Sequence, residues 1–326
     1  MLTVYAVLDG FDLGVGAVHL WVARSNEERR VALNAIGPVW NGNEVWLLAA
    51  GGMMVVAFPR VYASGFSGFY LALMLVLWLL ILRGASIEFR HQIDHPMWRA
   101  LWDAGFGVSS LLLALLLGVA LGNVVQGLPI EADGFFQGSF ALLLNPYSLL
   151  TGLLSLVVLG WHGANYLRTK SEGALLARAR RASLWLFWPA VALALLTTVA
   201  TFHVKPNAAA NFFVHPLAFV FPALAAAGFV GALVFHRDPT DRCPFWMSTL
   251  VIICLLVTAG ATIFPNLLAS TLNPAWSLTV YNAASSPRAL RDAFIANGLG
   301  MIGVVVYTTY AHRAFRGKVR LGSHGY

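Results

Sequence analysis

Charge is what this sequence has least of. Only 11% of its 326 residues are Asp, Glu, Lys or Arg, while 59% are hydrophobic. A soluble domain carries about 25% charged residues, so this chain cannot cover a water-facing surface. Lipid must be much of its solvent. Cysteine is almost missing. Cys243 and Cys254 are too far apart for a CxxC site, and Cys254 sits in an apolar run, so both read as inert thiols. There is no P-loop, no GxSxG, no HExxH and no CxxCH, and therefore no self-contained catalytic apparatus and no catalytic residue to nominate. A basic segment ahead of the first apolar run is also missing. The first Lys or Arg is Arg24, so no cleavable signal peptide is expected. The net charge of +7 does not imply nucleic acid, because the basic residues lie in short stretches between apolar runs and form no stripe.

What is present is a series of apolar runs. A span needs about 20 mostly apolar residues. The candidates are residues 1–22, 43–59, 64–83, 104–124, 146–167, 183–203, 211–235, 244–264 and 292–312. Together they predict an all-α, polytopic membrane protein of about nine transmembrane helices, forming a single transmembrane domain over 1–326. The first run is marginal because it contains Asp9 and Asp12. The second is short and glycine-rich.

Direction follows from the bias of Lys and Arg toward cytoplasmic loops. Arg24, Arg29, Arg30, Arg83, Arg90, Arg99, Arg168, Lys170, Arg178, Arg180, Arg181, Arg237, Arg242, Arg313, Arg316, Lys318 and Arg320 follow the odd-numbered spans, and they are seventeen of the 21 basic residues. Arg60, Lys205, Arg288 and Arg291 fall on the other side. The alternation predicts an outside N-terminus and a cytoplasmic C-terminus.

Charges inside a span are costly, about 2.5–3.5 kcal/mol each on insertion scales, and mark interior or functional positions. Asp9, Asp12 and Gly16 share one helix face, and Gly10 with Gly14 makes a GxxxG that admits a close neighbour. The carboxylates are candidates for a proton path, or for simply holding neighbouring helices. A second cluster is Trp40-Asn41-Gly42-Asn43-Glu44. Asn41-Gly42 is a turn signal at a membrane entry, and Glu44 either caps the helix that follows or serves the proton path. A third is Arg99 with Asp103, again at the entrance of a span, where Asp103 is a cap or a path residue. Membrane-embedded histidine pairs ligate haem. Here His19 and His162 stand alone in their spans and the others sit at ends or in loops, so no haem and no metal site is expected in this chain.

Several stretches, in order along the chain, resemble subunit II of the cytochrome bd-type quinol oxidases of bacteria and archaea. They are LDGFDLGVG (8–16), ERRVALNAIGPVWNGNEVWLLAAGG (28–52), FPRVYASGFSGFYLALML (58–75), FRHQIDHPMWRALWDAGF (89–106), GVALGNVVQGLP (118–129), LNPYSLLTGL (144–153), FPNLLAST (264–271) and NAASSPRAL (282–290). The resemblance implies nine helices in the cell membrane and a heterodimer with subunit I, which carries the quinol site, two b-type haems and one d-type haem. It further implies oxidation of quinol, reduction of dioxygen to water and a proton-motive force made without pumping. Subunit II would ligate no haem, support subunit I and help to conduct protons. A small single-span accessory subunit and membrane lipid are further expected partners. The family usually has an aspartate where this chain has Asn41, which cannot exchange a proton near neutral pH. Eight residues precede Asp9, where relatives have more, which leaves the first span at most about 22 residues. The rival readings are a proton-coupled transporter, favoured by intramembrane carboxylates but not by an odd span count, and a scaffold that only anchors a partner.

Overall fold

A computed structural model describes residues 1–321. The last five residues, which the expected domain 1–326 includes and which carry His324, lie outside the described residues. Thirteen helices follow one another: α1 (Leu2–Val22), α2 (Asn26–Ile36), α3 (Trp40–Ala57), α4 (Pro59–Gly68), α5 (Tyr70–Phe89), α6 (Pro96–Gln126), α7 (Phe140–Leu143), α8 (Pro146–Lys170), α9 (Gly173–Val204), α10 (Ala210–Val214), α11 (Val220–Val234), α12 (Cys243–Ile263) and α13 (Pro287–Ala314). Short 3-10 turns extend α11 to Pro216–Arg237.

Among the described residues, seven helices are long and apolar enough to cross a membrane: α5, α6, α8, α9, the extended α11, α12 and α13. The expected spans at 1–22 and 43–59 fall on α1 and α3, which do not reach that apolarity. Asp9, Asp12 and His19 dilute the first, and Asn41, Asn43 and Glu44 the second. The fold is also not purely helical. β1 (Asn266–Leu268) and β2 (Leu278–Thr279) pair antiparallel in the connection before α13.

Small residues set the centre. α1 lies between α6 and α8, and a Cβ on Gly14 would stand 1.9 Å from the Leu159 carbonyl oxygen, so the two backbones touch. The α6–α8 seam is built the same way, with Gly122 against Thr151 Oγ1 at 2.0 Å by the same construction. In lipid no hydrophobic force draws helices together, so such close van der Waals approach is what binds them. Around this centre the core runs through Phe11, Val15, Phe106, Ala164 and Leu167. α13 is the opposite case. It packs on α3, and none of its apolar window is buried.

One end of the bundle is tied by polar latches. α2 begins with a capping box between Ser25 and Glu28, and Glu28 also pairs with Arg178 at the start of α9. Arg168 at the end of α8 and Arg180 on α9 both grip Asp241, with Arg180 Nη2 2.7 Å from the carboxylate. Lys318 Nζ donates to the Arg168 carbonyl at 2.7 Å. At the opposite end, the connection after α6 and the one carrying β1 and β2 pack on each other through Leu128, Ile130, Leu268 and Leu278.

Candidate functional site

Three helices bring an ionic cluster into the bundle. α1 supplies Asp9 and Asp12 from one face, α3 supplies Asn43 and Glu44, and α5 supplies Arg83. Arg83 takes Asp9 in a two-pronged grip, Nη2 to Oδ1 at 2.6 Å and Nη1 to Oδ2 at 3.1 Å. Its Nη1 also donates to Glu44 Oε1 at 2.9 Å, and its Nη2 lies 4.0 Å from Asp12 Oδ2. Asn43 Nδ2 donates to Asp12 Oδ2 at 2.7 Å. Asp9, Asp12 and Arg83 are fully buried, whereas the Glu44 side chain is 21% exposed. Planar guanidinium suits such bidentate work, which an ammonium would not perform. Three carboxylates facing one guanidinium leave an excess of negative charge. A dry interior does not tolerate that excess, so the cluster is chemically suited to taking up protons. Asp12 Oδ1 and Arg83 Nε have no hydrogen-bond partner.

A second cluster lies at the latched end. Asp103 on α6 receives Arg90 Nε at 2.6 Å and Nη2 at 3.1 Å, and Arg29 Nη1 from α2 at 3.0 Å. Arg90 also donates to Asn26 Oδ1 at 3.0 Å. His19 Nε2 stands 3.9 Å from Asp103 Oδ1, while its Nδ1 faces the Gly16 carbonyl at 2.8 Å.

The remaining sequence candidates distribute unevenly. Arg99 stays outside both clusters, at the surface, paired with Asp94 at 2.7 Å. Asp103 is not a cap, because α6 starts at Pro96 and places it two turns inside. Glu44 is not a cap either, since α3 begins at Trp40 and the carboxylate turns to Arg83. The turn expected at Asn41-Gly42 lies earlier, at Gly37-Pro38-Val39, because proline favours the turn and Trp40 already opens the helix. Asn41 is exposed, Gly42 faces the Tyr307 ring of α13, and Trp40 packs over Gly84. Gly10 and Gly14 face α8, where a Cβ on Gly10 would approach Leu159 Cδ2 to 2.9 Å.

Sequence reasoning missed Arg83. The third span, placed at 64–83, ends on this residue, which counts with the basic residues that follow the span. In the structure the helix breaks after Gly68 and resumes at Tyr70, so a full-length span carries Arg83 inside it. No local signal marks that break, and only a run counted from Tyr70 needs the residues to Phe89 to cross.

His162 has both ring nitrogens engaged, Nδ1 with Ser248 Oγ at 2.7 Å and Nε2 with the Val7 carbonyl at 3.1 Å. Among the described residues no group of three or more His, Cys, Asp or Glu could hold a metal ion.

The sequence model of the family described as cytochrome bd terminal oxidase subunit II matches residues 1–315. The probable cytochrome oxidase subunit 2 of Haemophilus influenzae is 35% identical, over 98% of this chain and 92% of that protein. The cytochrome bd-I ubiquinol oxidase subunit 2 of Escherichia coli K12 is 33% identical over the same shares. The cytochrome bd ubiquinol oxidase subunit 2 of Bacillus subtilis is 31% identical over 96% of this chain and 91% of that protein. Among solved structures, a chain of the bd oxidase from Geobacillus thermodenitrificans shares the fold, with a TM-score of 0.78 at 19% identity, covering 96% of this chain and 94% of that one.

Proposed function

The chain belongs to the cytochrome bd terminal oxidase subunit II family, and from that premise we propose that it partners a haem-bearing subunit I and conducts protons toward it. It is a multi-pass bacterial membrane protein and a subunit of an oxidoreductase. The proposal reads residues 1–326 as one domain of nine spans, with α1 and α3 as the two polar ones, the N-terminus outside and the latched end cytoplasmic. With Arg83 set aside as a residue inside a span, sixteen basic residues against four support that direction. Haems b and d belong to subunit I in this reading and supply the oxygen chemistry there, with quinol as the electron donor. A single-span accessory subunit and bound lipid complete the assembly.

The observation that carries the proton reading is the Arg83 cluster. Cytoplasmic protons enter at the latched end near Asp103, reach Asp12 and Asp9, and leave laterally through Glu44. Its partly exposed carboxylate is the cluster's opening onto the side of the bundle. Arg83 keeps the carboxylates assembled and charged enough to exchange protons. Protons consumed in making water come from the cytoplasm, and those of quinol leave outside. The result is a proton-motive force without a pump.

The test uses the purified complex in liposomes. Asp9→Asn, Asp12→Asn, Glu44→Gln and Asp103→Asn are each expected to slow quinol oxidation and proton uptake together, with the haem absorption intact. Unchanged turnover in all four would remove the proton role and leave a scaffold. Failure of the tagged chain to bring down a haem-bearing partner would remove the oxidase assignment itself.

A further inference from the structure

Three buried polar atoms of α1 and α6 have no hydrogen-bond partner. They are Asp12 Oδ1, Ser110 Oγ and His19 Nε2. All three residues are fully buried. Buried polar atoms are nearly always paired, directly or through ordered water, and each exception calls for an explanation. Three exceptions on this helix pair share one. Asp12, Gly16 and His19 fall at i, i+4 and i+7 on the same face of α1. Ser110 stands beside the middle of these. Its hydroxyl is 2.0 Å from where a Gly16 Cβ would be, so glycine is what leaves it room. The row spans seven residues of helix, about 10 Å. At one end it meets the Arg83 cluster through Asp12, and at the other the Asp103 cluster, 3.9 Å from His19.

We propose that His19 and Ser110 are the proton-carrying link between the two ionic clusters, joined by water molecules on either side of the Ser110 hydroxyl, which itself packs on Gly16. The inference rests on the proton-conducting reading above and deepens it by naming a route that does not pass Asn41. His19 Nδ1–H is fixed on the Gly16 carbonyl, which leaves Nε2 as the exchanging nitrogen. A proton arriving from the Asp103 side binds Nε2. Nε2 holds it while the bridging water turns toward Ser110, and that water then takes the proton back and donates it to the Ser110 oxygen. Ser110 passes its own hydroxyl proton on toward Asp12 Oδ1 and takes the incoming one. The imidazole ends neutral and the serine unchanged. The charged groups facing His19 are Asp103 from α6, Arg29 from α2 and Arg90 at the end of α5. The Phe106 ring, with its centroid 4.9 Å from that of His19, closes one side to solvent.

The experiment measures turnover, proton uptake and their pH profiles in the whole complex reconstituted in liposomes. His19→Gln keeps a hydrogen-bonding amide but cannot carry a proton. It is expected to slow proton uptake about tenfold or more and to flatten the pH profile, with haem absorption and subunit ratio unchanged. Ser110→Ala removes one oxygen and keeps the packing, so it reads the same link if His19→Gln impairs assembly, and it is expected to slow uptake in the same direction. Wild-type uptake rates and pH profile in Ser110→Ala, or in an assembled His19→Gln, would overturn the link. Asp12→Asn run alongside separates the two failures. Slow Asp12→Asn with normal His19→Gln discards only this route, whereas normal rates in both discard proton conduction through α1 altogether.

Discussion

Arg83 is an arginine in the interior of an apolar helix, and it survives there only because Asp9 and Glu44 reach it. Removing one partner of a buried pair costs more than the pair itself contributes, since the survivor keeps its charge without compensation. Arg83→Met therefore leaves two buried aspartates facing each other and is expected to destabilise the complex by about 3–5 kcal/mol. The drop in melting temperature and in assembled yield checks it, and a melting curve equal to wild type would show that the cluster is not held by Arg83. Asp241 gives the corresponding case outside the spans. Burial works to raise its carboxyl, and the hydrogen bonds from Arg180 and Arg168 outweigh it, holding the group below the usual carboxylate range. Because the folded value is the lower one, its stabilisation is full above the unfolded value of about 3.9 and is lost as pH falls through the folded value. Asp241→Asn should lower the melting temperature at neutral pH and soften the decline seen in strong acid. A parallel pair of melting-temperature profiles would refute this.

At the scale of elements, α1 and α8 are locked by glycine. A methyl group on Gly14 or Gly163 would enter the facing backbone, 1.9 Å from the Leu159 carbonyl oxygen and 2.1 Å from the Gly14 carbonyl carbon respectively. Gly14→Ala and Gly163→Ala should each cost about 1–3 kcal/mol through overpacking. Gly51→Ala and Gly260→Ala, where nothing stands within 4 Å, should be silent in the same melting assay. The Gly10–Gly14 pattern and the carboxylate face of α1 were legible in the sequence because helical spacing alone places them. The partners were not. Nothing local in 64–89 says where the apolar run starts, and a six-residue shift moves Arg83 from the end of a span into the interior. Likewise Glu44 and Asp103 looked like caps because helix starts were read three to eight residues late. A carboxylate near a helix start is equally consistent with a cap and with an ion pair until its cation is located. Arg99, next in sequence to the Asp103 motif, pairs with Asp94 at the surface because α6 turns its first residues outward.

For the whole molecule, the uneven distribution of burial is the main observation. α1, α6 and α8 form a closed centre, while α13 has no buried apolar window and α5 has 17% of its window buried. α9 and the extended α11 are buried to the same 17%, so in the proposed heterodimer it is the α13 side, with none of its window buried, that takes the partner. The chain purified alone is then expected to show no haem absorption in the visible range, whereas the tagged complex shows haem bands in fixed ratio to the chain. Haem bands in the isolated chain would contradict the assignment of all haems to subunit I.

The Arg83 cluster also has a consequence for how the chain is made. Asp9 and Arg83 are separated by 74 residues in the sequence. At about 5–20 residues per second, α1 waits roughly 4–15 s for its counter-ion to be synthesised. During that interval two acidic groups have no cation, so α1 is not ready to enter lipid as an independent helix. Entry of α1 into lipid before α5 emerges therefore carries the cost of two uncompensated carboxyls, about 2.5–3.5 kcal/mol each on insertion scales, a cost that Arg83 removes once it arrives.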